Sequence, residues 1–221
     1  MSFDPLFRGT VEQLITGAII CPVTEPEKFD YLADSVSIDK VQHYLAQIGR
    51  GLSCTRDGNG YYAVALDLDD KGTRARIRNE FERITGQWEP LIRWLRMSQQ
   101  VAADKHPIAF NDTVSEGDWL KTIEASSALQ EELEIICLKM QIKKAQDARQ
   151  RLRALFEKLQ KDGFLKSKGP SGALFQATAR WSLLKDQMEF VTQQEGIIAA
   201  NNARAAEDHQ EQEALFHGRS E

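Results

Sequence analysis

The feature that most constrains this chain is a helix-then-hairpin pattern that occurs twice along it. Each copy has four apolar residues spaced i, i+3, i+4 and i+7, which is typical of the buried face of a helix. They are Val41, Tyr44, Leu45 and Ile48 in the first copy, and Leu152, Leu155, Phe156 and Leu159 in the second. A turn-forming segment follows each copy, at residues 57–60 and 168–172, so each copy predicts a helix followed by a β-hairpin.

Further helix signals precede each copy. Ser37 is the predicted N-cap of the first patterned helix, and Ser115 and Ser127 open capping boxes ahead of the second. Helices followed by a hairpin are the ingredients of a winged helix-turn-helix. We therefore predict an α+β, mostly helical fold: tandem winged-helix domains joined by a helical middle segment. Residues 140–145 hold no glycine or proline, so the helices on either side of them are either separate or continuous.

The middle segment is predicted to be one long helix over about residues 70–99. Its apolar residues alternate at spacings of four and three, the pattern of helix–helix packing. They are Ile77, Phe81, Ile84, Trp88, Leu91 and Leu95. A loop containing Pro107 marks the boundary after it. The predicted domains are a first winged helix over 1–69, a linking helix and loop over 70–112, a second winged helix over 113–195, and an acidic flexible tail over 196–221.

Composition argues against several classes of protein. No apolar run reaches the length of a membrane-spanning helix, and the N-terminus has no secretory signal, so we expect a cytoplasmic protein without a membrane partner. The cysteines Cys21, Cys54 and Cys137 are odd in number and widely spaced, which predicts buried apolar side chains. We predict no metal site and no cofactor.

Catalytic signals are weak. The sequence contains neither a phosphate-binding glycine loop nor a Gly-x-Ser-x-Gly elbow. The acidic run at 67–70 is interpreted as a solvated turn, and His43 and His106 have no nucleophile or carboxylate partner in local sequence. We therefore predict no catalytic residues and no enzymatic activity.

The charge distribution is uneven. The formal net charge is −5, yet residues 139–186 hold twelve lysines and arginines against four acidic residues. This segment predicts contacts to DNA phosphates, which would be salt-sensitive and largely independent of sequence. The alternative is that these charges only solvate a helix. The candidate DNA-binding residues are Lys143, Lys144, Arg149, Arg151, Lys158, Lys166 and Lys168.

The first copy of the pattern lies in an acidic segment, with five basic against eleven acidic residues over 1–70. A recognition surface without positive charge is suited to protein and not to DNA. The aromatic residues of the first hairpin and the middle helix are candidates for a partner or dimer interface, although burial in the core is the alternative. These candidates are Tyr61, Tyr62, Trp88 and Trp94.

Two stretches carry a resemblance to a known family. Residues 153–165, reading RALFEKLQKDGFL, and residues 175–187, reading FQATARWSLLKDQ, resemble the MksE/MukE-like branch of the KITE proteins, with support from LITGAII at 14–20. The resemblance spans about residues 7–195. It implies a nucleoid-associated, non-catalytic homodimer that wraps an extended kleisin segment and, through it, attaches to an SMC-type ATPase acting on DNA. It offers no single contact residue to carry over.

The leading hypothesis is therefore a kleisin-binding subunit of a bacterial condensin-like SMC complex, acting in chromosome segregation or in plasmid defence. The alternative is a dimeric winged-helix transcription regulator, which would bind one DNA duplex tightly and with discrimination between sequences. A hydrolase or nuclease acting through Asp67, Asp69 or His43 is the third hypothesis. Whether the protein contacts DNA directly or through the complex stays open.

Overall fold

The structure is a computed structural model of the 221-residue chain, and it describes residues 4–66, 71–102, 104–142, 146–169 and 172–193. Residues up to Leu183 form one compact unit, and those from Leu184 form a second. Residues 180–183 are helical in the first unit, and residues 184–193 are helical in the second. The predicted tail over 196–221 lies outside the described residues.

The first region, residues 4–66, holds three helices and a hairpin. The elements are α1 (Pro5–Ile15), α2 (Pro26–Ala33), α3 (Ser35–Gln47), β1 (Arg50–Cys54) and β2 (Tyr61–Ala65). Asp4 caps α1 by accepting hydrogen bonds from the backbone N–H groups of Leu6 and Phe7. Helix α2 was not predicted from the sequence.

The predicted cap and buried stripe of α3 both need correction. Ser37 does not cap the helix, because Asp34 lies three residues earlier and accepts a hydrogen bond from the backbone N–H of Ser37 at 2.9 Å. Val41 and Leu45 are buried as predicted, but Tyr44 is 39% exposed and Ile48 46% exposed. The buried face of α3 is rotated towards Ser37 and Ile38, which pack on the side of α1 and α2.

The first hairpin follows the turn signal in the sequence. Gly58 has a φ of +75°, which favours glycine, and the Thr55 hydroxyl accepts hydrogen bonds from the backbone N–H groups of Asn59 and Gly60. Ile20 adds a short third row to this sheet, because its backbone exchanges two hydrogen bonds of 2.9 Å with Tyr61. The order across this sheet is therefore Ile20, β2, β1.

The middle helix is α4 (Lys71–Val101), which confirms the predicted long helix. It passes through Pro90 without ending. Described side chains along residues 71–89 are exposed or half-buried, whereas Leu91, Trp94 and Met97 are buried. The second half of α4 is thus part of a packed core, whereas the described side chains of the first half remain at least partly exposed.

The second region, residues 91–183, contains that half of α4 and the later elements. These are β3 (Thr113–Ser115), α5 (Glu116–Glu124), α6 (Ser127–Lys139), α7 (Ala148–Lys161), β4 (Leu165–Ser167) and β5 (Leu174–Ala177). Ser115 caps α5 as predicted, and the cap of α6 is Ser126, one residue before the predicted Ser127. Helices α6 and α7 are separate, since Gln141 has a φ of +61° beyond the end of α6.

Strand β3 was not predicted, and it gives the second sheet the order β3, β5, β4. All four stripe residues of α7 are fully buried, as the sequence predicted. Rings pack in series through this core: Trp94 lies 4.7 Å from Trp119 and 5.8 Å from Phe156, and Phe156 lies 5.0 Å from Phe175, measured between centroids. The mixed helix-and-sheet class is confirmed.

The first hairpin is attached to the second region. Ala179 and Leu183 pack with Ile19 and Cys21 in one buried cluster. The Ser182 hydroxyl donates a hydrogen bond of 2.6 Å to the Asp57 carboxylate at the turn of the hairpin. The two regions are therefore in direct contact and are not held together by α4 alone.

Candidate functional site: interaction surfaces

The helices that precede the two hairpins, α3 and α7, present different surfaces. On α7, Arg151 forms an ion pair of 3.1 Å with Glu134 of α6, and Lys158 forms one of 2.7 Å with Asp162. Lys166, on β4, donates a hydrogen bond to the backbone carbonyl of Thr24 at 2.9 Å. Three of the candidate DNA-binding cations therefore already have partners within the chain.

Two other candidate cations are more available. Arg149, at the start of α7, and Lys168, just after β4, are exposed and form no ion pair with any described residue. Lys161, at the end of α7, is exposed as well. Lys143 and Lys144 lie outside the described residues. The basic surface of α7 is therefore smaller than the charge count suggested.

The exposed face of α3 is nearly neutral. Val36 is 59% exposed and Tyr44 39% exposed, and Ile48, at the C-cap just beyond the end of α3, is 46% exposed. Lys40 is the cation on the same side, and His43 lies within 3.2 Å of the Gln47 side chain. A helix surface with apolar side chains and little positive charge is suited to contact with protein and does not attract phosphate.

Much of the surface of the two hairpin tyrosines is buried against other parts of the chain. Tyr61 is half-buried against Phe29, with ring centroids 5.4 Å apart, and burial raises the pKa of its hydroxyl. Tyr62 is half-buried against the cluster that contains Ala179 and Leu183, and its hydroxyl oxygen accepts a hydrogen bond from Ser53 at 3.4 Å. Both tyrosines therefore stabilise the first hairpin by packing inside the chain, and part of each side chain remains accessible at the surface.

The two tryptophans of α4 lie in different surroundings. Trp94 is completely buried among Trp119 and Phe156, so it is a core residue and is not part of the proposed interface. Trp88 is half-buried, and its ring lies 6.5 Å from that of Phe81, which is 47% exposed. The apolar surface of α4 is therefore centred on Phe81 and Trp88. The side chains of Ile77 and Ile84 lie outside the described part of the chain.

A groove of about 540 Å³ lies in the second region, and no motif in the sequence indicated it. The end of α4, the loop over 104–112, β3 and the first turns of α5 line it. Among the described lining residues His106 is the one basic side chain, with Nε2 2.7 Å from Asp104 and Nδ1 3.8 Å from Asp112. The prediction that His106 has no carboxylate partner nearby in sequence was therefore wrong. A hydrogen bond to the Pro107 carbonyl, together with these two carboxylates, raises the pKa of His106.

The described residues contain no group of three histidines, cysteines or carboxylates able to hold a metal ion. Cys21 and Cys137 are buried as predicted, and burial raises the pKa of Cys137 to about 11. Cys54 is exposed, so the prediction that it is buried was wrong; it ends β1, where the hairpin opens to its turn. Asp67, Asp69 and Asp70 lie outside the described residues.

The sequence profile of the condensin complex protein MksE matches residues 5–189. The chain belongs to the MksE family. The match runs from α1 through both hairpins, which confirms the resemblance inferred from the sequence. Membership of this family identifies the chain as a condensin complex protein. No curated protein shows significant similarity to the sequence. No helix within the described residues is long and apolar enough to cross a membrane.

Proposed function

We propose that this MksE-family chain is a non-catalytic, kleisin-binding subunit of a bacterial condensin-like SMC complex, working in the cytoplasm on the nucleoid. Family membership over residues 5–189 is the observation that carries the proposal. The kleisin, in turn, attaches the chain to an SMC-type ATPase. Chromosome segregation and plasmid defence are both compatible with this role.

The order of elements in the two regions supports an interpretation as tandem winged helices. In the first region α1 precedes the Ile20 bridge, and α2, α3 and the β1–β2 hairpin follow it. In the second region β3 is followed by α5, α6, α7 and the β4–β5 hairpin. In each sheet the early strand lies beside the last strand, giving Ile20, β2, β1 and β3, β5, β4. In this interpretation α3 and α7 are the recognition helices and the two hairpins are the wings.

The difference between the exposed surfaces of α3 and α7 suggests that the two helices bind different partners. The neutral face of α3, with Val36, Tyr44 and Ile48, is the proposed protein-binding surface. The cations that remain available near α7 are proposed to touch DNA phosphates weakly. Their small number argues against the alternative of a transcription regulator, which needs base-reading contacts in addition to phosphate contacts.

A second copy of the chain is the remaining proposed partner. The exposed first half of α4, with Phe81 near Trp88, is the surface we assign to the homodimer. The sequence pattern along this half is that of helix–helix packing. Light scattering of the purified chain tests this assignment, because Phe81→Glu is expected to convert a dimer into a monomer.

Co-purification tests the kleisin proposal. The tagged chain, expressed with the kleisin and SMC proteins of its own cells, is expected to retain both through a salt wash. Val36→Glu is expected to reduce capture of the kleisin at least about tenfold, because it places a charge within an apolar contact. Gln42→Glu adds the same charge on another exposed side of α3 and is expected to change little. Retention of neither protein by the wild-type chain contradicts the proposal.

A further inference from the structure

The groove of about 540 Å³ is bounded by ordered elements. The Ser98 hydroxyl donates to the Leu95 carbonyl at 2.7 Å and accepts from the backbone N–H of Ile108 at 3.0 Å, which fastens the loop to α4. The Asp112 carboxylate accepts from the backbone N–H of Ala109 at 2.8 Å. The loop wall of the groove is therefore held in place before any partner arrives.

One wall of the groove is a strand with a free edge. Strand β3 is the outer strand of its sheet, and its residues line the groove together with Asp118, Trp119 and Thr122 of α5. The Asp112 carbonyl accepts a hydrogen bond of 2.8 Å from the Ala177 N–H of β5, and the Glu116 N–H donates one of 2.9 Å to the carbonyl of Ala173, the residue before β5. Because backbone groups alternate between the two edges of a strand, the N–H and C=O of Thr113 and the N–H of Ser115 lie on the free edge.

A free strand edge is a template for another extended chain. Native proteins protect such edges with lysine, proline or a covering element. The described lining residues of this groove include neither lysine nor proline, so these two protections are missing from its lining. Its shortness limits the pairing to a few backbone hydrogen bonds.

The charge of the groove indicates what chemistry fits it. Asp104, Asp112 and Asp118 contribute carboxylates, and His106 is the one basic residue in the described lining. Asp118 lies in the first turn of α5 and forms no ion pair with any described residue. Phosphate groups are repelled by such a surface, which excludes nucleic acid. The chain's own residues from 194 onward have six acidic and two basic residues, so they do not complement it either.

We propose that this groove binds an extended, lysine- or arginine-bearing segment of a partner subunit, which pairs with the free edge of β3 and places a cationic side chain beside Asp118. The inference rests on the proposed function only in taking the partner from within the complex. Backbone hydrogen bonds to β3 align the bound segment along this strand. The carboxylates supply its preference for basic over acidic sequences.

The test uses the full chain and a fluorescent eight-residue peptide that alternates lysine and valine, with a glutamate–valine peptide as the matched control. Fluorescence anisotropy at low salt is expected to show binding of the lysine peptide at least about tenfold tighter. Amide NMR shifts are expected over residues 98–122. Equal affinity for the two peptides, or shifts confined to other acidic parts of the chain, overturns the proposal.

Two variants separate backbone pairing from simple charge attraction. Thr113→Pro removes the N–H on the free edge and leaves the pairing with β5 intact, because proline is tolerated there. It is expected to weaken peptide binding about tenfold, whereas Thr113→Val retains the N–H and stays within about twofold. Asp118→Asn is expected to weaken binding about threefold.

A lysine peptide N-methylated at alternate residues repeats this test on wild-type protein, so a folding defect in Thr113→Pro does not decide the outcome. Undiminished binding of the methylated peptide overturns the pairing. If these peptide tests fail while the wild-type chain still captures the kleisin, the groove is not a binding site but the proposed function is retained. Failure of capture alone removes the function.

Discussion

The first and second regions arrange similar elements in a similar order, yet they leave different surfaces exposed. In the second region the stripe of α7 is fully buried under an aromatic core, and cations remain outside. In the first region α3 buries Val41 and Leu45 but leaves Tyr44 and Ile48 accessible. The same topology therefore yields a charged helix in one place and an apolar one in the other, because the packing partners differ.

The largest expected effect concerns that difference in packing. Phe156→Ala removes a fully buried ring that touches Trp94, Trp119 and Phe175, so it is expected to lower the free energy of unfolding by about 3–5 kcal/mol. Tyr44→Ala removes a ring that is 39% exposed and lies 5.8 Å from the ring of Phe7, so it is expected to cost only about 1 kcal/mol. Urea denaturation of both variants checks this. Similar losses would mean that the two helices are packed alike.

The second prediction concerns the contact between the regions. A Cβ at Gly60 would lie 2.7 Å from Ile19 Cδ1 and 2.8 Å from Ala179 Cβ, so Gly60→Ala is expected to destabilise the protein by about 1–3 kcal/mol. Gly86→Ala, in the interior of α4 with nothing within 4 Å of the new atom, is expected to stabilise it by about 0.5–1 kcal/mol. Thermal unfolding measures both. A neutral Gly60→Ala would show that the hairpin does not pack tightly on Ala179.

The third prediction compares the charges of α7 and α3. Replacing Arg149 and Lys168 together with alanine is expected to weaken non-specific DNA binding about tenfold. The same change is expected to reduce the slope of log affinity against log salt by about 2, since each cation neutralises about one phosphate. Lys40→Ala, on α3, is expected to leave both quantities unchanged. A salt titration with one duplex is the measurement, and an equal effect of Lys40→Ala would contradict the division between the helices.

The smallest expected effect is a loss of folding stability at acidic pH. Hydrogen bonds from Ser182, Thr55 and Asn59 outweigh burial and lower the pKa of Asp57 to about 2, from an ordinary value of 3.8. The ionised form stabilises the fold fully above pH 4, and this stabilisation is lost as the pH falls towards 2. Ser182→Ala is expected to shift that loss to a higher pH. Unfolding curves between pH 2 and 6 report it, and identical curves for both proteins would count against the contact.

Much of the local structure was predictable from the sequence. The turn at 57–60 predicts the first hairpin, and the stripe from Leu152 to Leu159 predicts both α7 and its buried face. Both features are determined by residues that are close together in the sequence. The hairpin depends on a short turn, and α7 depends on the regular spacing of apolar residues along a single helix. The long spacing pattern after Asp70 likewise predicts α4 to within a few residues.

The features that sequence reasoning missed depend on distant contacts. Three-residue β3 exists because it pairs with β5, some sixty residues later, and nothing local distinguishes Thr113–Ser115 from a loop. The period of α3 fits two adjacent faces. In the structure Ile38 packs against the core, whereas Tyr44 lies at the margin, 39% exposed and with its ring 5.8 Å from that of Phe7 in α1. The groove beside β3 draws residues from four separate elements, so no motif could indicate it.

Hydrogen–deuterium exchange of the chain alone and in its complex with the kleisin tests the central claim most directly. The account predicts slower exchange over Ser35–Gln47 in the complex, because the neutral face of α3 is covered, and little change over Ala148–Lys161. Protection confined to α7, with α3 exchanging as it does in the free chain, would contradict the claim that the first region is the one that meets protein.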